Sequence, residues 1–196
     1  MLSVYLLRHG ETAYNADGNR YCGRTDIGLT AKGIKQAETV HQHLKDVEID
    51  AVYASPLTRA RITAEIATRW PVQTDARIIE VDFGDWEGKT KEEFMVEDPQ
   101  SWEAWMADPA VAKAGNTGES GQQVVDRVDA FFTEMLQKHA NQTIVVVCHN
   151  GINRLYMAHK LGMGLKNYRR IFQENSAITF FELDDKGEMT LKKLNA

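Results

Sequence analysis

Short apolar runs alternate along the chain with longer segments in which apolar residues recur at helical spacing. The first run, Leu2–Leu7, is typical of a buried strand, and it ends abruptly in Arg8-His9-Gly10-Glu11. The β-branched run TIVVVC at 143–148 predicts a strand buried on both faces. The alternation in IDAVYAS, at 49–55, predicts another strand. Two more, in AITFFELDD and EMTLKKL, are predicted on either side of a turn at Lys186-Gly187.

Capping residues and helical periodicity predict the helices that separate these strands. Thr30 is a candidate N-cap for a helix that extends to about Leu44. Ser55 followed by Pro56 is typical of a helix start and predicts a helix reaching about Trp70. The Thr90–Glu93 capping box opens a helix that Asp98-Pro99 should interrupt. Helical patterns follow at 122–139 and 152–161.

Three other segments lack a helical pattern. Residues 14–29 are rich in Gly, Asn and Asp and predict a loop. The segment Arg77–Gly88 predicts a short strand and a turn. The segment 107–121 predicts a loop that is longer than usual, which is typical of functional loops.

The alternation of strands and helices predicts an α/β fold: one three-layer domain, residues 1–196, with a mostly parallel sheet and helices on both faces. Such sheets bind ligands beyond the carboxyl ends of their strands. Arg8 and His9 stand at one such end, and His149 follows the strand at 143–148. We therefore expect the two histidines to meet in one crevice.

Composition narrows the function classes. A chain of 196 residues suits one domain, and a formal charge of −5 argues against general nucleic-acid binding. No apolar run approaches the roughly 20 residues that span a bilayer. The N-terminus does not match a secretory signal peptide. Cys22 and Cys148 form neither a disulfide framework nor a metal-ligand spacing. We expect a cytoplasmic protein without membrane or nucleic-acid partners; the sequence does not indicate its oligomeric state.

The residues at the predicted crevice suit phosphoryl transfer. His9 can attack phosphorus only as neutral imidazole, a form that nearby guanidinium groups favour and that a hydrogen bond to a backbone carbonyl would orient. Arg8 adjoins it, and Arg59 falls in the first turn of the predicted 55–70 helix, where side chain and free N–H groups would face an anion. Asn15 can donate an amide hydrogen bond, and His149 can act as a second imidazole donor.

The leaving alkoxide needs a proton. Glu80, at the end of the predicted strand in IIEVDFGDWEG, is the leading candidate for the acid. A glutamate serves as an acid near pH 7 where burial or a bound anion favours its protonated form. Asp82, two residues further along, would have the same orientation in a strand and is the second choice.

Taken together, these residues resemble a known family. LLRHGET with Asn15 closely resembles the signature of the histidine phosphatase superfamily, also called the phosphoglycerate mutase-like family. The resemblance covers nearly the whole chain, in the family's order, through YCGRTDIGLTAKGIKQAE, ASPLTRARITAE, IIEVDFGDWEGK, NTGESGQQVVDRV and VVVCHNGINR.

The resemblance implies a role for each residue. His9 would be phosphorylated during turnover, within a phosphate pocket of Arg8, Arg59 and His149. Asn15 matches a phosphate-contacting asparagine, and Glu80 matches the usual proton donor. Cys22 and Gly23 fall in a substrate-binding stretch. No metal and no cofactor are implied, since the arginines do the work that Mg²⁺ does elsewhere.

Two departures from the family pattern lie in the motifs just described, one at Cys22 and one directly after His149. Many relatives have glutamine where Cys22 stands, so the polar contact of that glutamine is missing. The second histidine usually precedes two glycines, whereas here it precedes Asn150 and Gly151. An asparagine adopts the left-handed conformations of glycine less readily.

Within the family, the FGxWEG form and the short chain favour a phosphatase over the alternative, a cofactor-dependent phosphoglycerate mutase. A non-catalytic module that binds a phosphate ligand is less favoured, because the whole constellation is present. Specificity is expected from the Asp17–Asp26 loop and a cap at about 90–121, with possible contacts from Arg20, Arg24, Trp102 and Trp105. The expected partner is a small phosphate ester; α-ribazole phosphate, sugar phosphates and phosphoglycerates are all compatible with the sequence.

Overall fold

A six-stranded sheet organises the structure, a computed structural model that describes all 196 residues. Its strands are β1 (Leu2–Arg8), β2 (Ala51–Ala54), β3 (Val72–Thr74), β4 (Thr143–Cys148), β5 (Ile178–Leu183) and β6 (Met189–Lys193). They lie in the order β3-β2-β4-β1-β5-β6. The first four strands in this order, β3, β2, β4 and β1, run parallel to one another. At the other edge β5 pairs antiparallel with β1, and β6 pairs antiparallel with β5. The predicted mostly parallel sheet is confirmed.

Seven α-helices surround the sheet: α1 (Ala13–Ala16), α2 (Ala31–Leu44), α3 (Thr58–Thr68), α4 (Lys91–Glu97), α5 (Pro99–Ala107), α6 (Gly121–Lys138) and α7 (Asn150–Lys160). Single 3₁₀ turns occur at 76–78 and 84–86, and a longer 3₁₀ segment at 165–170. Two predicted caps are confirmed, since Thr30 accepts the N–H of Gly33 and Thr90 forms a capping box with Glu93. The break at Asp98-Pro99 separates α4 from α5, as predicted. None of the helices is long and apolar enough to cross a membrane.

Each face of the sheet has its own hydrophobic core, because side chains alternate across a strand. Leu7, Val145 and Val147 point to one face, where they pack with residues of α2 and α3 such as Val40 and Ala60. Leu6, Ile144 and Val146 point to the other face, in the core that contains Phe131 of α6 and Leu155 of α7. The result is the predicted three-layer architecture.

The register of β1 against β4 places the two histidines together. Arg8 lies opposite Cys148 in this parallel pair, and the His9 N–H donates to the Cys148 carbonyl at 3.0 Å. His9 and His149 are therefore the first residues beyond the carboxyl ends of adjacent strands. The meeting of these residues in one crevice, inferred from the sequence, is what the structure shows.

The segment 77–88 differs from its prediction. It contains no strand: the third strand is β3, and after the 3₁₀ turn at 76–78 the backbone of 79–83 is irregular. The guanidinium of Arg127 holds this segment, since it donates to the carbonyls of Arg77, Ile79 and Glu80 at 2.7, 2.7 and 3.2 Å. A side chain from α6 therefore satisfies carbonyls that a neighbouring strand would otherwise bond.

The helix after Ser55-Pro56 also begins later than predicted, at Thr58. The Ser55 hydroxyl accepts only the N–H of Leu57, and the cap comes instead from Asp26, whose carboxylate accepts the Thr58 N–H at 2.7 Å. The helix ends at Thr68, where Arg69 adopts a left-handed conformation with φ of 57°. The single turn α1, which overlaps the start of the predicted loop 14–29, is an element that the sequence pattern did not indicate.

Candidate active site

Two buried imidazoles form the centre of the site. The rings of His9 and His149 lie edge to face, with their centroids 5.1 Å apart and their planes at 61°. His9 is 5% exposed and His149 is 0% exposed. A cleft beside them is lined by side chains of β1, α1, α7 and the irregular segment around Glu80.

His9 is held in the form that a nucleophile requires. Its Nδ1 lies 2.7 Å from the carbonyl of Gly10, and a carbonyl can only accept, so we assign the proton to Nδ1 and the lone pair to Nε2. Burial lowers the pKa of His9 well below its ordinary value, and the charges of Arg59 and Arg8 lower it further. Near neutral pH the ring is therefore an uncharged imidazole with a free Nε2, as expected from the sequence.

Arg8 and Arg59 place two guanidinium groups at the centre, each anchored by backbone carbonyls. Arg8 donates through Nη1 to the carbonyl of Gln173 at 2.8 Å. Its pKa is lowered to about 10, chiefly by burial. Arg59 is wholly buried and donates to the carbonyls of Thr25, Cys22 and Gly23 at 2.7–3.0 Å. Neither guanidinium forms a salt bridge with a carboxylate of the protein.

Several buried donors at this centre have no hydrogen-bond partner within the protein. They are the Nε–H groups of Arg8 and Arg59 and the N–H of the His149 ring, neither of whose nitrogens has a partner. Burial lowers the pKa of His149 well below its ordinary value, and Arg59 and His9 add to the effect, so this ring is also neutral and carries one N–H. Buried donors are normally satisfied, and leaving one unpaired costs about 1–3 kcal/mol. An oxyanion bound beside His9 would be an acceptor for these donors; of the three residues, Arg8 lines the cleft, whereas Arg59 and His149 do not.

A capping box fixes the oxygen end of the Asn15 amide, which leaves the N–H₂ end as its available donor. Its Oδ1 accepts the N–H and the hydroxyl of Thr12, at 3.1 and 3.0 Å, and Nδ2 of Asn175 at 3.2 Å. The Nδ2 group is left with one long hydrogen bond, 3.4 Å, to Asn19. Asn15 lines the cleft and has its amide N–H₂ available as a donor.

Glu80 lies beside this centre, although not on a strand. Its Oε1 accepts the N–H groups of Val81 and Ile152, at 2.9 and 3.1 Å, and its Oε2 accepts that of Gly151 at 3.1 Å. The carboxylate thereby caps the first turn of α7, whose N-cap residue, His149, makes no side-chain cap bond. Oε2 carries only one of the three bonds, which leaves it an open lone pair, and Glu80 lines the cleft.

Asp82, the second candidate for the acid, has a different position. Its Oδ1 accepts the N–H of Gly84 at 3.0 Å, and Asp82 does not line the cleft. Because the segment is not a strand, the expected shared orientation of Glu80 and Asp82 is absent.

The two residues of the predicted substrate-binding stretch, Cys22 and Gly23, have different positions in the structure. Cys22 lines the cleft as a thiol, since burial raises its pKa to about 11. Gly23 does not line the cleft: its N–H donates to the carboxylate of Glu87, and its carbonyl accepts Arg59. A Cβ there would lie 2.3 Å from the Val81 carbonyl, which explains the glycine. Substrate contacts from either residue remain a prediction.

Asn150 occupies its position without strain. It is the first residue of α7 and does not have a positive φ, so no left-handed conformation is needed there. Its side chain lines the cleft, with Oδ1 buried and without a partner.

The outer part of the cleft contains residues that the sequence did not point to. Of the four predicted contacts, Arg20 and Trp105 line the cleft, whereas Arg24 and Trp102 do not. Arg154, Tyr168 and Arg169 also line it. Arg154 could have been found from helical spacing, because it follows Asn150 by four residues and so lies on the same face of α7.

Three comparisons place the chain among known proteins. The model of the histidine phosphatase superfamily (branch 1) matches residues 4–196. Phosphoserine phosphatase 1 of Hydrogenobacter thermophilus is 34% identical over 98% of this chain and 92% of its own length. Adenosylcobalamin/alpha-ribazole phosphatase of Escherichia coli is 38% identical over 83% of this chain and 80% of its own length. A phosphoserine phosphatase mutant from Entamoeba histolytica, solved with phosphoserine, is 31% identical with a TM-score of 0.90, over 100% of this chain and 98% of that one.

Proposed function

Since the chain belongs to the histidine phosphatase superfamily, we propose that it hydrolyses small phosphate monoesters through a phosphohistidine formed on His9. The chain is a phosphatase rather than a mutase, in agreement with the phosphatases among its relatives. The roles of the individual residues are our proposal, and they follow from the geometry around His9.

In the first step Nε2 of His9 attacks phosphorus as the ester bond breaks. Arg8, Arg59 and Asn15 donate to the non-bridging oxygens, and the N–H of neutral His149 donates to the same group. The positive charge that develops on the His9 ring is stabilised by the bond from Nδ1 to the Gly10 carbonyl. A proton from Oε2 of Glu80 passes to the leaving oxygen, so the alcohol departs uncharged.

In the second step water attacks the phosphohistidine. Glu80, now a carboxylate, accepts the proton of that water, and the N–P bond breaks to release inorganic phosphate and neutral His9. The proton removed from Glu80 in the first step is thereby restored. The net reaction consumes one ester and one water and yields one alcohol and one phosphate.

The observation that carries this proposal is the set of unpartnered buried donors around a neutral, oriented imidazole. The arrangement combines a free Nε2 on His9 with orphaned donors on Arg8, Arg59 and His149. A binding module for phosphate would need the donors, but it would not need a histidine kept neutral and held by its second nitrogen.

The names of the relatives refer to more than one phosphate ester. The compared relatives are named for phosphoserine in two cases and for alpha-ribazole in the third. The alcohols that these esters would release, serine and alpha-ribazole, differ in size and charge, so family membership alone does not choose between them. We propose the class of small phosphate monoesters as the substrate.

Replacement of His9 tests the proposal. His9→Ala should abolish hydrolysis of p-nitrophenyl phosphate and leave the circular dichroism spectrum unchanged. His43→Ala is the matched control, because His43 is exposed on α2 and does not line the cleft. Near-normal turnover by a folded His9→Ala variant would refute covalent catalysis at His9.

A further inference from the structure

The outer part of the cleft contains a guanidinium group that has no partner in the protein. The side chain of Arg154, on α7, makes no hydrogen bond and no salt bridge, and its Nε is buried. Arg20, by contrast, is bonded to two carboxylates, and Arg24 and Arg127 both bind Glu119. A half-buried arginine without an acceptor is costly, because its donors have lost part of their hydration.

Arg154 is held in place although it is unpaired. Its guanidinium stacks over the ring of Tyr168, with Cζ 4.9 Å from the ring centroid. The hydroxyl of that tyrosine accepts the indole N–H of Trp105 at 3.1 Å, which fixes the ring. The face of the guanidinium is therefore occupied by an aromatic ring, which leaves its N–H edge as the part that can bind a ligand in the cleft.

A second guanidinium reinforces the positive charge there. Arg169 stacks over Trp102 at 4.9 Å and reaches the hydroxyl of Tyr21 at 3.4 Å. Burial lowers the pKa of Arg154, and the charge of Arg169 acts in the same direction. The negative charge of Glu80 raises the pKa of Arg154, but the carboxylate of Glu80 already accepts three backbone N–H groups and makes no hydrogen bond to Arg154.

We propose that Arg154 binds a carboxylate of the substrate, so that the preferred substrates are compact phosphate monoesters that carry a carboxylate close to the ester. This inference rests on the proposed function, and it names the substrate class of the same site. The N–H edge of one guanidinium matches the two oxygens of a carboxylate in parallel. The inner pocket, by comparison, gathers Arg8, Arg59 and His149 for a phosphoryl group.

The position of Arg154 limits the size of the substrate. Arg154 lines the same cleft as His9, and its backbone lies only about 7–8 Å further along the axis of α7 than that of His149, at 1.5 Å per residue. We therefore propose a compact substrate, with its carboxylate within a few bonds of the ester oxygen. Phosphorylated hydroxy acids and phosphorylated amino acids meet this requirement, whereas esters of neutral alcohols do not use the group.

Binding can be measured independently of turnover in a His9→Ala background. Calorimetry would compare 3-phosphoglycerate with glycerol 3-phosphate, a pair in which a carboxylate is replaced by an uncharged hydroxymethyl group. We expect the carboxylate ester to bind about 10–100-fold more tightly, the range for a hydrogen bond to a charged group. Arg154→Met should bring the two affinities to within about threefold, and Arg154→Lys should restore part of the difference.

Arg170→Met is the matched control, because it removes one exposed positive charge that does not line the cleft. It should preserve the preference. Equal affinities of the two esters before Arg154 is changed would overturn the proposal, as would a preference that survives Arg154→Met. Tighter binding of 1,3-propanediol bisphosphate than of 3-phosphoglycerate would also overturn it and assign Arg154 to a second phosphate.

The same esters separate this proposal from the proposed function. Wild-type protein that hydrolyses both esters with equal kcat/KM, and binds them equally, would retain the phosphatase assignment and refute the carboxylate subsite. Selective, Arg154-dependent binding without release of phosphate from any ester would support the subsite and refute the proposed reaction.

Discussion

Substitution of Glu80 by Gln separates its chemical role from its structural one. The change keeps the shape of the side chain and removes the transferable proton. If Glu80 protonates the leaving oxygen, an alkyl phosphate should be slowed by about 10²–10⁴-fold, the usual contribution of general acid catalysis. p-Nitrophenolate is a weak base that leaves without assistance, so p-nitrophenyl phosphate should lose less than about tenfold.

The structure also gives the expected stability of this variant. The amide oxygen of Gln can keep the bonds from Val81 and Ile152, but the amide nitrogen would then face the N–H of Gly151, which now donates to Oε2 of Glu80. A buried donor left without an acceptor costs about 1–3 kcal/mol. Thermal unfolding should therefore show a modest destabilisation, and both substrates must be assayed well below the lowered transition.

The assay measures kcat/KM for glycerol 3-phosphate and for p-nitrophenyl phosphate in parallel. Asp82→Asn is the control, because an asparagine can still accept the N–H of Gly84. Equal losses on both substrates in Glu80→Gln would assign Glu80 a binding or structural role only. A loss that depends on the leaving group in Asp82→Asn, and not in Glu80→Gln, would move the acid to Asp82.

Three further results are expected. Folding lowers the pKa of His9 and of His149, so below about pH 6.5 the unfolded chain binds more protons than the folded chain. As the pH falls, each histidine should therefore reduce the free energy of unfolding by up to about 1.4 kcal/mol per pH unit. When the free energy of unfolding is measured between pH 7 and 5.5, His149→Asn should halve its slope against pH, and an unchanged slope would contradict the burial of neutral His149. Arg127→Met should destabilise the fold by roughly 3 kcal/mol in urea unfolding, because it leaves three carbonyls without their donor and removes the ion pair with Glu119, whereas the exposed pair lost in Arg61→Met is worth under about 1 kcal/mol. Prolonged dialysis against EDTA should leave kcat unchanged for every ester, and recovery of lost activity by an added divalent cation would contradict the metal-independent mechanism.

The inner site could be predicted because local patterns determine it. The apolar runs that form β1 and β4 identify two buried strands, and parallel neighbours bring their carboxyl ends together. His9 and His149 follow those ends directly, so no knowledge of the loops was needed. Arg59 was placed in the first turn of its helix although the helix begins at Thr58 rather than at Pro56.

The parts that could not be predicted depend on contacts between distant residues. The IIEVD stretch alternates like a strand, but Arg127 and Glu119 bind its backbone and keep it irregular. Asp26 caps α3 from a loop more than 30 residues away. No local pattern carries that information, since a capping carboxylate is recognised from sequence only when it lies next to its helix.

The outer cleft illustrates the same limit. Arg154 looks like any charged residue on an amphipathic helix, and only the structure shows that no carboxylate reaches it. Helical spacing relates it to Asn150, but the ring of Tyr168 that supports it comes from a 3₁₀ segment beyond α7.

The position of the phosphoryl group in the covalent intermediate tests the central claim most directly. p-Nitrophenyl phosphate labelled with ³²P would be mixed with the protein, quenched in alkali within milliseconds and digested, and the labelled peptide would be sequenced by mass spectrometry. Phosphohistidine survives alkali, and this substrate does not need the acid, so the intermediate should form rapidly. The label should lie on His9, in the peptide that spans the end of β1 and the start of α1. Label on any other side chain, or turnover with no label on the protein at any time, would contradict the account.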